Sequence, residues 1–243
     1  MSETFLVTPP PSDVLSQAGI GGLAVLVACA WVAICSRGVV ARIARLGGFA
    51  ALVMAASAAA AWSGLLTRFD RVPPPMALLI VMVLAVPTIA GLSPFGRRIA
   101  MQTPLALFIE LQIFRLPLEL VMHHAGNVGV MPPELSFSGY NFDIITGIGA
   151  AAIGAMLARG AAVPRGLLWV WNIWGIYCLI AIAAIAVATS PMVRAFGDDP
   201  RHVNTWVLYF PYVWLPVVMV SVAVFSHVIV TRALLAKTSS ARA

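Results

Sequence analysis

The fold is decided by the run MALLIVMVLAVPTIAGL, residues 76–92, in which the only polar side chain is that of Thr88. Such a run is close to the length of about 20 apolar residues that an α-helix needs to cross the hydrocarbon core of a bilayer. The strands of an outer-membrane β-barrel would instead alternate apolar with polar residues. Residues 76–92 therefore predict a transmembrane α-helix.

Similar apolar runs recur along the chain and predict an all-α integral membrane protein, a bundle of seven transmembrane helices. The predicted spans are 18–35, 48–66, 76–92, 104–123, 142–157, 167–189 and 206–230. Because short loops join them, we expect one transmembrane domain over residues 18–231, between an N-terminal tail, 1–17, and a C-terminal tail, 232–243. The N-terminal tail contains no basic residue, so we interpret it as a mature tail rather than a cleaved signal peptide.

The composition excludes an ordinary soluble protein. Of the 243 residues, 61% are hydrophobic and 10% are charged, whereas soluble domains carry about 25% charged residues. The net charge of +6 comes from basic residues scattered through short loops, which is typical of membrane topology and not of a nucleic-acid-binding face. Cys29, Cys35 and Cys178 lie in apolar runs without a CxxC pair, so we expect them to be buried free thiols.

The charges of the loops predict the orientation of the bundle. Of the fifteen Lys and Arg residues, ten fall in loops on one side and four in loops on the other, with Arg115 inside the fourth span. The acidic residues of the loops all fall on the side with fewer basic residues. Because short loops rich in Lys and Arg stay in the cytoplasm, we predict that the N-terminus lies outside and the C-terminus in the cytoplasm of a bacterial inner membrane.

The fourth predicted span carries five ionisable residues in the segment IELQIFRLPLELVMHH, residues 109–124. Spacings of three and four residues place four polar side chains along one face of a helix. These are Gln112, Arg115, Glu119 and His123. Glu110 and His124 lie toward the opposite side.

Charges inside a membrane are expected to pair. An unpaired charge at the bilayer centre costs about 2.5–3.5 kcal/mol on insertion scales. We therefore expect Arg115 to pair with Glu119, four residues further on, and with Glu110 as a second partner. Pro117 lacks a backbone N–H and predicts a kink with a freed carbonyl near Ile113. Such a network either fixes helix packing or lines a site for a proton, an ion or a small ligand.

A metal ion or a haem is the alternative use of these residues, since a carboxylate and an imidazole one turn apart can share a metal. The candidate ligands at similar depth are Glu119, His123, His124, Asp143 and His202. A bis-histidine haem would combine His123 or His124 with His202. Histidines at a membrane interface are otherwise simply solvated, and we expect this of His227, near the cytoplasmic end of the seventh span.

The start of the fifth span contributes Asn141 and Asp143. Both residues can cap the helix, and an aspartate near a helix N-terminus suits the helix dipole. Both also enter the membrane from the outer side, at the depth of His123 and His124. We therefore include Asn141 and Asp143 among the residues that line the polar cavity.

Two outer loops, 124–141 and 190–205, are longer than a simple connection needs. They either fold over a site between the helices or run along the surface. In the sixth span, Trp171, Asn172 and Tyr177 lie deeper than an interfacial aromatic belt would require. These three residues are therefore candidates for lining a pocket.

The segments IELQIFRLPLELVMHH and MPPELSFSGYNFDIITG together resemble a family of bacterial multi-span membrane proteins to which no activity is assigned. That family has an ELxxFRxxLEL helix followed by a proline and an FxGxNFDI-like segment. The matching positions are Glu110, Arg115, Glu119, Asn141 and Asp143, within residues 109–147. Ser138 and Tyr140 stand where the family has Glu and Arg, so a role for those two groups does not carry over. The resemblance implies membership and no particular activity.

The sequence predicts a multi-pass inner-membrane protein with an outward-facing, ionisable polar cavity that binds or transports a small ligand, an ion or a proton. The residues expected to line it are Glu110, Gln112, Arg115, Glu119, His123, Asn141 and Asp143. Glu119 and Glu110 would titrate and Arg115 would be their counter-charge or an anion anchor. His123 would be a gate or relay.

Two other functions fit the same sequence. One is a metal- or haem-dependent membrane enzyme or redox protein. The other is a non-catalytic subunit of a larger complex, with other membrane proteins as partners. In every case the lipid bilayer surrounds the helices, and nucleic acid is not an expected partner.

Overall fold

The structure is a computed structural model, which describes the backbone of residues 7–240 and the side chains of residues 7–236. The side chains of Glu3, Lys237 and Arg242, which entered the prediction of orientation, lie outside this part. Within residues 7–240 the chain is all-helical and contains no β-strand. The α-helices of this part are α1 (Val14–Ser36), α2 (Val40–Trp62), α3 (Pro75–Leu92), α4 (Pro94–Gln102), α5 (Leu105–Leu111), α6 (Arg115–Asn127), α7 (Ile144–Ala158), α8 (Arg165–Ala188) and α9 (Ser221–Ser240).

Five helices within the described residues are long and apolar enough to cross a membrane. They are α1, α2, α3, α8 and a helix over Leu215–Ala236, which joins the π-helical turn Leu215–Val220 to α9. α7 is also apolar but shorter. Large apolar side chains such as Leu26, Leu52 and Ile180 are exposed on the outside of the bundle. An exposed apolar surface of this extent is compatible with contact with lipid.

Two predicted spans have different limits in the structure. α2 begins at Val40, so Arg42 and Arg45 lie on its exposed N-terminal turns. The seventh span is helical only from Trp214, because residues 206–213 form a 3₁₀ turn and irregular turns. Pro211, inside this stretch, has no N–H to donate to a helical ladder.

The cysteines follow the prediction in part. Cys35 and Cys178 are buried free thiols. The prediction of burial is wrong for Cys29, which is exposed. An apolar run indicates a helix, but it does not indicate which face of that helix is turned toward the bundle.

The fourth predicted span consists of α5 and α6, joined by the 3₁₀ turn Gln112–Phe114. The turn comes just before Pro117, whose nitrogen cannot donate to the carbonyl of Ile113. α6 starts at Arg115, so Pro117 lies in its first turn, where an N–H would have no intrahelical partner. The α-helix is interrupted where the kink is predicted, and the interruption lies beside the most polar residues of the span.

α9 is the central helix of the bundle. It packs against α3, α4, α5 and α8, whereas α7 packs against α5, α6 and α8. α1 packs against α2, α6 and the π-helical turn. The interior faces of α6, α7, α8 and α9 therefore come together, and a group of buried polar residues that includes Arg115 and His227 lies between them.

Candidate functional site

A network of buried polar side chains is centred on Arg115, whose residue surface is 1% exposed. Its Nε donates to Oε1 of Gln112 at 3.1 Å, and its Nη1 donates to Oδ1 of Asp143. Its Nη2 lies 3.4 Å from Nε2 of His227. Desolvation of a buried ion costs several kcal/mol, which only a close counter-charge and hydrogen bonds offset. Asp143 supplies that counter-charge.

The partner predicted for Arg115 from its own helix was wrong, because the ion pair forms with Asp143 rather than with Glu119. The approach of α7 explains the difference. A Cβ atom added to Gly147 would lie 2.9 Å from the backbone nitrogen of Leu116 and 3.3 Å from Cβ of Arg115. Glycine at this position lets the start of α7 reach the start of α6, which brings Asp143 to the guanidinium.

Glu119 is buried beside this ion pair. Its Oε1 accepts a 2.7 Å hydrogen bond from Nδ2 of Asn141. Its Oε2 has no hydrogen-bond partner among the described residues. Asn141 also donates to the carbonyl of Leu135 at 3.1 Å, and its Oδ1 accepts from the backbone N–H of Asp143 at 3.2 Å. Asn141 thus links Glu119 to the ion pair.

The expectation that a side chain caps the start of α7 is wrong. Asp143 occupies the N-cap position, but its side chain makes no capping hydrogen bond, because its carboxylate is turned to Arg115. The side chain of Asn141 accepts from the N–H of Asp143 instead. The Asp143 carboxylate is therefore available to the network.

His227 extends the network toward α8. Its Nδ1 lies 2.9 Å from Oδ1 of Asn172, and Nδ2 of Asn172 donates to Oγ1 of Thr231 at 2.8 Å. The ring of Trp171 packs 5.2 Å from the His227 ring, centroid to centroid. The prediction that His227 is solvated is wrong, since it is fully buried. The helix extends over Leu215–Ala236, so this histidine lies near its middle rather than at its end.

Two polar atoms of the network have no hydrogen-bond partner among the described residues. They are Nε2 of Gln112 and Oε2 of Glu119. A buried polar atom is normally paired. The network therefore retains unused donor and acceptor capacity at its centre.

Glu110 is not part of the network. It is half-buried at a shallow apolar groove that Leu23, Leu26 and Leu107 also line. Within residues 7–236 its carboxylate has no ion pair or hydrogen bond. The prediction that Glu110 lies away from the polar face of the fourth span is confirmed. The prediction that it pairs with Arg115 is wrong.

His123 lies in the C-terminal half of α6 and contacts the following loop. Its Nδ1 lies 3.1 Å from Oγ of Ser138, and its ring stacks on Phe137 at 4.6 Å. Its Nε2 lies 3.1 Å from Nδ2 of Asn127. These contacts hold the loop against the helix end and do not join His123 to Arg115.

His124 binds the start of α1. Its Nε2 lies 3.1 Å from Oδ2 of Asp13, and the same oxygen accepts from the backbone N–H of Ser16 at 2.8 Å, which caps the helix. Hydrogen bonds from Ser16, and to a smaller extent the interaction with His124, hold the pKa of Asp13 below its ordinary value.

The two long loops, 124–141 and 190–205, are connected to each other. Residues 130–136 are mostly buried, and Nδ1 of His202 is hydrogen-bonded to Oε1 of Glu134. The first loop therefore packs into the bundle, and the second closes onto it. At the tip of the second loop, hydrogen bonds from Arg201 lower the pKa of Asp199 to about 2.

The candidate metal ligands have separate partners. Asp143 binds Arg115, Glu119 binds Asn141 and His202 binds Glu134. Among the side chains that the structure describes, no three His, Cys, Asp or Glu residues form a group that could hold a metal ion.

The network includes two residues that the sequence did not single out as a site, His227 and Thr231. Of the three candidates for lining a pocket, Asn172 belongs to the network and Trp171 packs against it, whereas Tyr177 is exposed. A polar residue in the middle of an apolar helix is the signal that could have found His227. The predicted span, 206–230, ended soon after His227, so the prediction assigned this histidine to the membrane surface.

No protein-family model matches the sequence, and comparisons with curated proteins and with solved structures give no significant match.

Proposed function

We propose that this protein crosses a bacterial inner membrane seven times, with its N-terminus outside, and that the Arg115 network binds and relays protons. The five long apolar helices support a membrane location. The α5–α6 segment and the apolar α7 would be the two further crossings. The uneven distribution of Lys and Arg supports the orientation.

The balance of charge in the network carries the proposal. Asp143 neutralises Arg115, which leaves Glu119 buried without a cation of its own. Its Oε2 has no partner among the described residues. An uncompensated buried carboxylate is costly, so a proton on Glu119 would make the cluster neutral. Glu119 is therefore the group that would gain and lose a proton during function.

His227 would be the second proton-exchanging group. One of its ring nitrogens lies near Arg115 and the other near Asn172. An imidazole gains and loses a proton near neutral pH, and it would exchange this proton with water, because arginine and asparagine side chains do not take up protons. The Arg115–Asp143 pair, between Glu119 and His227, would provide a fixed charge that orients both groups.

The shape of the site favours a proton over a larger ligand. Gln112, Arg115 and Asn141 are enclosed by the bundle, with at most 2% of each residue exposed. In the proposed orientation, Asn141 lies toward the outer face and Thr231 lies toward the cytoplasmic end of its helix. The hydrogen-bonded network would thus run along the membrane normal.

The test is proton flux through the full chain in liposomes that enclose a pH-sensitive dye, with a potassium potential as driving force. We expect Glu119→Gln to reduce the flux by about tenfold or more, because a carboxamide cannot exchange a proton. Glu110→Gln is the matched control, since it makes the same change in the same predicted span but outside the network. Wild-type flux no greater than that of empty liposomes, or equal flux in wild type and Glu119→Gln, would refute the proposal.

A further inference from the structure

An apolar cavity separate from the Arg115 network lies between α3 and α8. Its volume is about 450 Å³, within the range of about 300–1,000 Å³ found for small-molecule sites. α3 and α8 both pack against α9 but make little contact with each other. The space between them is lined by apolar side chains, including Ile80, Leu84 and Leu179.

One end of the cavity contains two buried polar side chains without partners. Asn204 and Trp206 line the cavity and are 6% and 1% exposed. Oδ1 of Asn204 and Nε1 of Trp206 have no hydrogen-bond partner among the described residues. The amide oxygen can only accept a hydrogen bond and the indole N–H can only donate one. A ligand that satisfies both must carry a donor and an acceptor at the same end.

The depth of the cavity matches one leaflet of a bilayer. Asn204 hydrogen-bonds through its backbone to Thr189, directly after the end of α8. Leu179, at the other end of the cavity, lies nine residues before Ala188. At 1.5 Å per residue this is about 14 Å, close to half of the hydrocarbon thickness of about 30 Å. The polar end therefore lies near the membrane surface and the apolar end near the midplane.

The side of the cavity is open toward lipid. Val81 of α3 and Val187 of α8 line it and are both more than half exposed. A molecule already in the bilayer can therefore enter sideways between the two helices, with its chain parallel to them.

We propose that this cavity binds a single-chain lipid with a hydroxyl or carboxylic acid head, such as a long-chain fatty alcohol or fatty acid. The chain lies between α3 and α8, and the head donates to Oδ1 of Asn204 and accepts from Nε1 of Trp206. An ester head can only accept, so it leaves Asn204 without a partner. The proposal does not depend on proton transfer by the Arg115 network.

The experiment uses the quenching of tryptophan fluorescence by bromine, which acts over a short range. The full chain in nanodiscs is titrated with dibromostearic acid, the corresponding alcohol and the methyl ester. Saturable quenching is expected with the acid or the alcohol and not with the ester. The saturable part should disappear in Trp206→Phe, and Asn204→Leu should raise the half-saturating concentration by about fivefold, as expected for the loss of one hydrogen bond.

Two matched variants test the location of the site. Ala183 lines the cavity, whereas Ala184 is exposed and does not. Ala183→Phe should abolish saturable quenching and Ala184→Phe should leave it unchanged. Ala77→Phe, at the mouth of the cavity, fills the same space if Ala183→Phe does not fold. Quenching by the acid alone or by the alcohol alone identifies the head. Equal, non-saturable quenching by all three probes overturns the proposal.

Discussion

Arg115 carries a positive charge inside an apolar bundle, and the ion pair with Asp143 offsets the cost of burying that charge. The two side chains come from different helices and are both buried. Breaking a buried ion pair from one side leaves an uncompensated charge, whereas removing both charges often costs little. The free energy of unfolding should therefore fall more when one charge of the pair is removed than when both are removed.

Arg115→Met is expected to lower the free energy of unfolding by about 3–5 kcal/mol, because it leaves Asp143 unpaired. The double variant Arg115→Met/Asp143→Leu should recover much of this loss. Thermal unfolding of the detergent-purified protein measures both effects. Arg98→Met, on the exposed face of α4, is the control and should change stability by less than about 0.5 kcal/mol. A double variant no more stable than Arg115→Met would show that the pair is not coupled in this way.

For single residues, the sequence predicted which side chains of the fourth span are buried, but it did not predict the residues that they contact. Gln112, Arg115 and Glu119 share the buried face that their spacing predicts. The partners of Arg115 on other helices are 28 and 112 residues away along the chain. Helical spacing relates only residues of one helix, so it could not predict those contacts.

Among the helices, the close approach of α8 and α9 positions the second half of the network. A Cβ atom added to Gly175 of α8 would overlap the ring of His227. Glycine therefore allows the imidazole to lie against the backbone of α8, within reach of Asn172. The position of His227 therefore depends on the absence of a side chain at Gly175 of α8 as well as on α9, the helix to which His227 belongs.

Gly175→Ala is expected to lower the free energy of unfolding by about 1–3 kcal/mol, the usual cost of overpacking a filled interior. It should also reduce proton flux in the liposome assay, because the methyl group displaces His227. Gly166→Ala in the same helix is the control, since a Cβ there meets no atom within 4 Å. Thermal unfolding and flux are measured for both variants. Equal stability of the two would contradict the packing described for Gly175.

For the whole molecule, the proposed orientation places α4 on the cytoplasmic surface and the loop that contains Asp198 on the outer surface. Arg98 and Asp198 are both exposed, so a cysteine at either position can react. Three proposed crossings separate the two positions. An odd number of crossings places them on opposite sides of the membrane.

In a variant without Cys29, Cys35 and Cys178, a membrane-impermeant maleimide should label Asp198→Cys in intact cells. It should label Arg98→Cys only after the membrane is permeabilised. The reverse pattern would show that the orientation is inverted. Labelling of both positions from outside would show that the number of crossings between them is even, which would contradict the seven-helix topology.

The sequence by itself determined the all-helical class and the apolar segments, because contact with lipid depends on the composition of each helix alone. It also determined that ionisable groups would be buried in the fourth span. Only the tertiary structure decided that Asp143 pairs with Arg115, that His227 joins them and that a cavity lies between α3 and α8. These features depend on how closely helices distant in sequence approach, which glycines such as Gly147 and Gly175 permit.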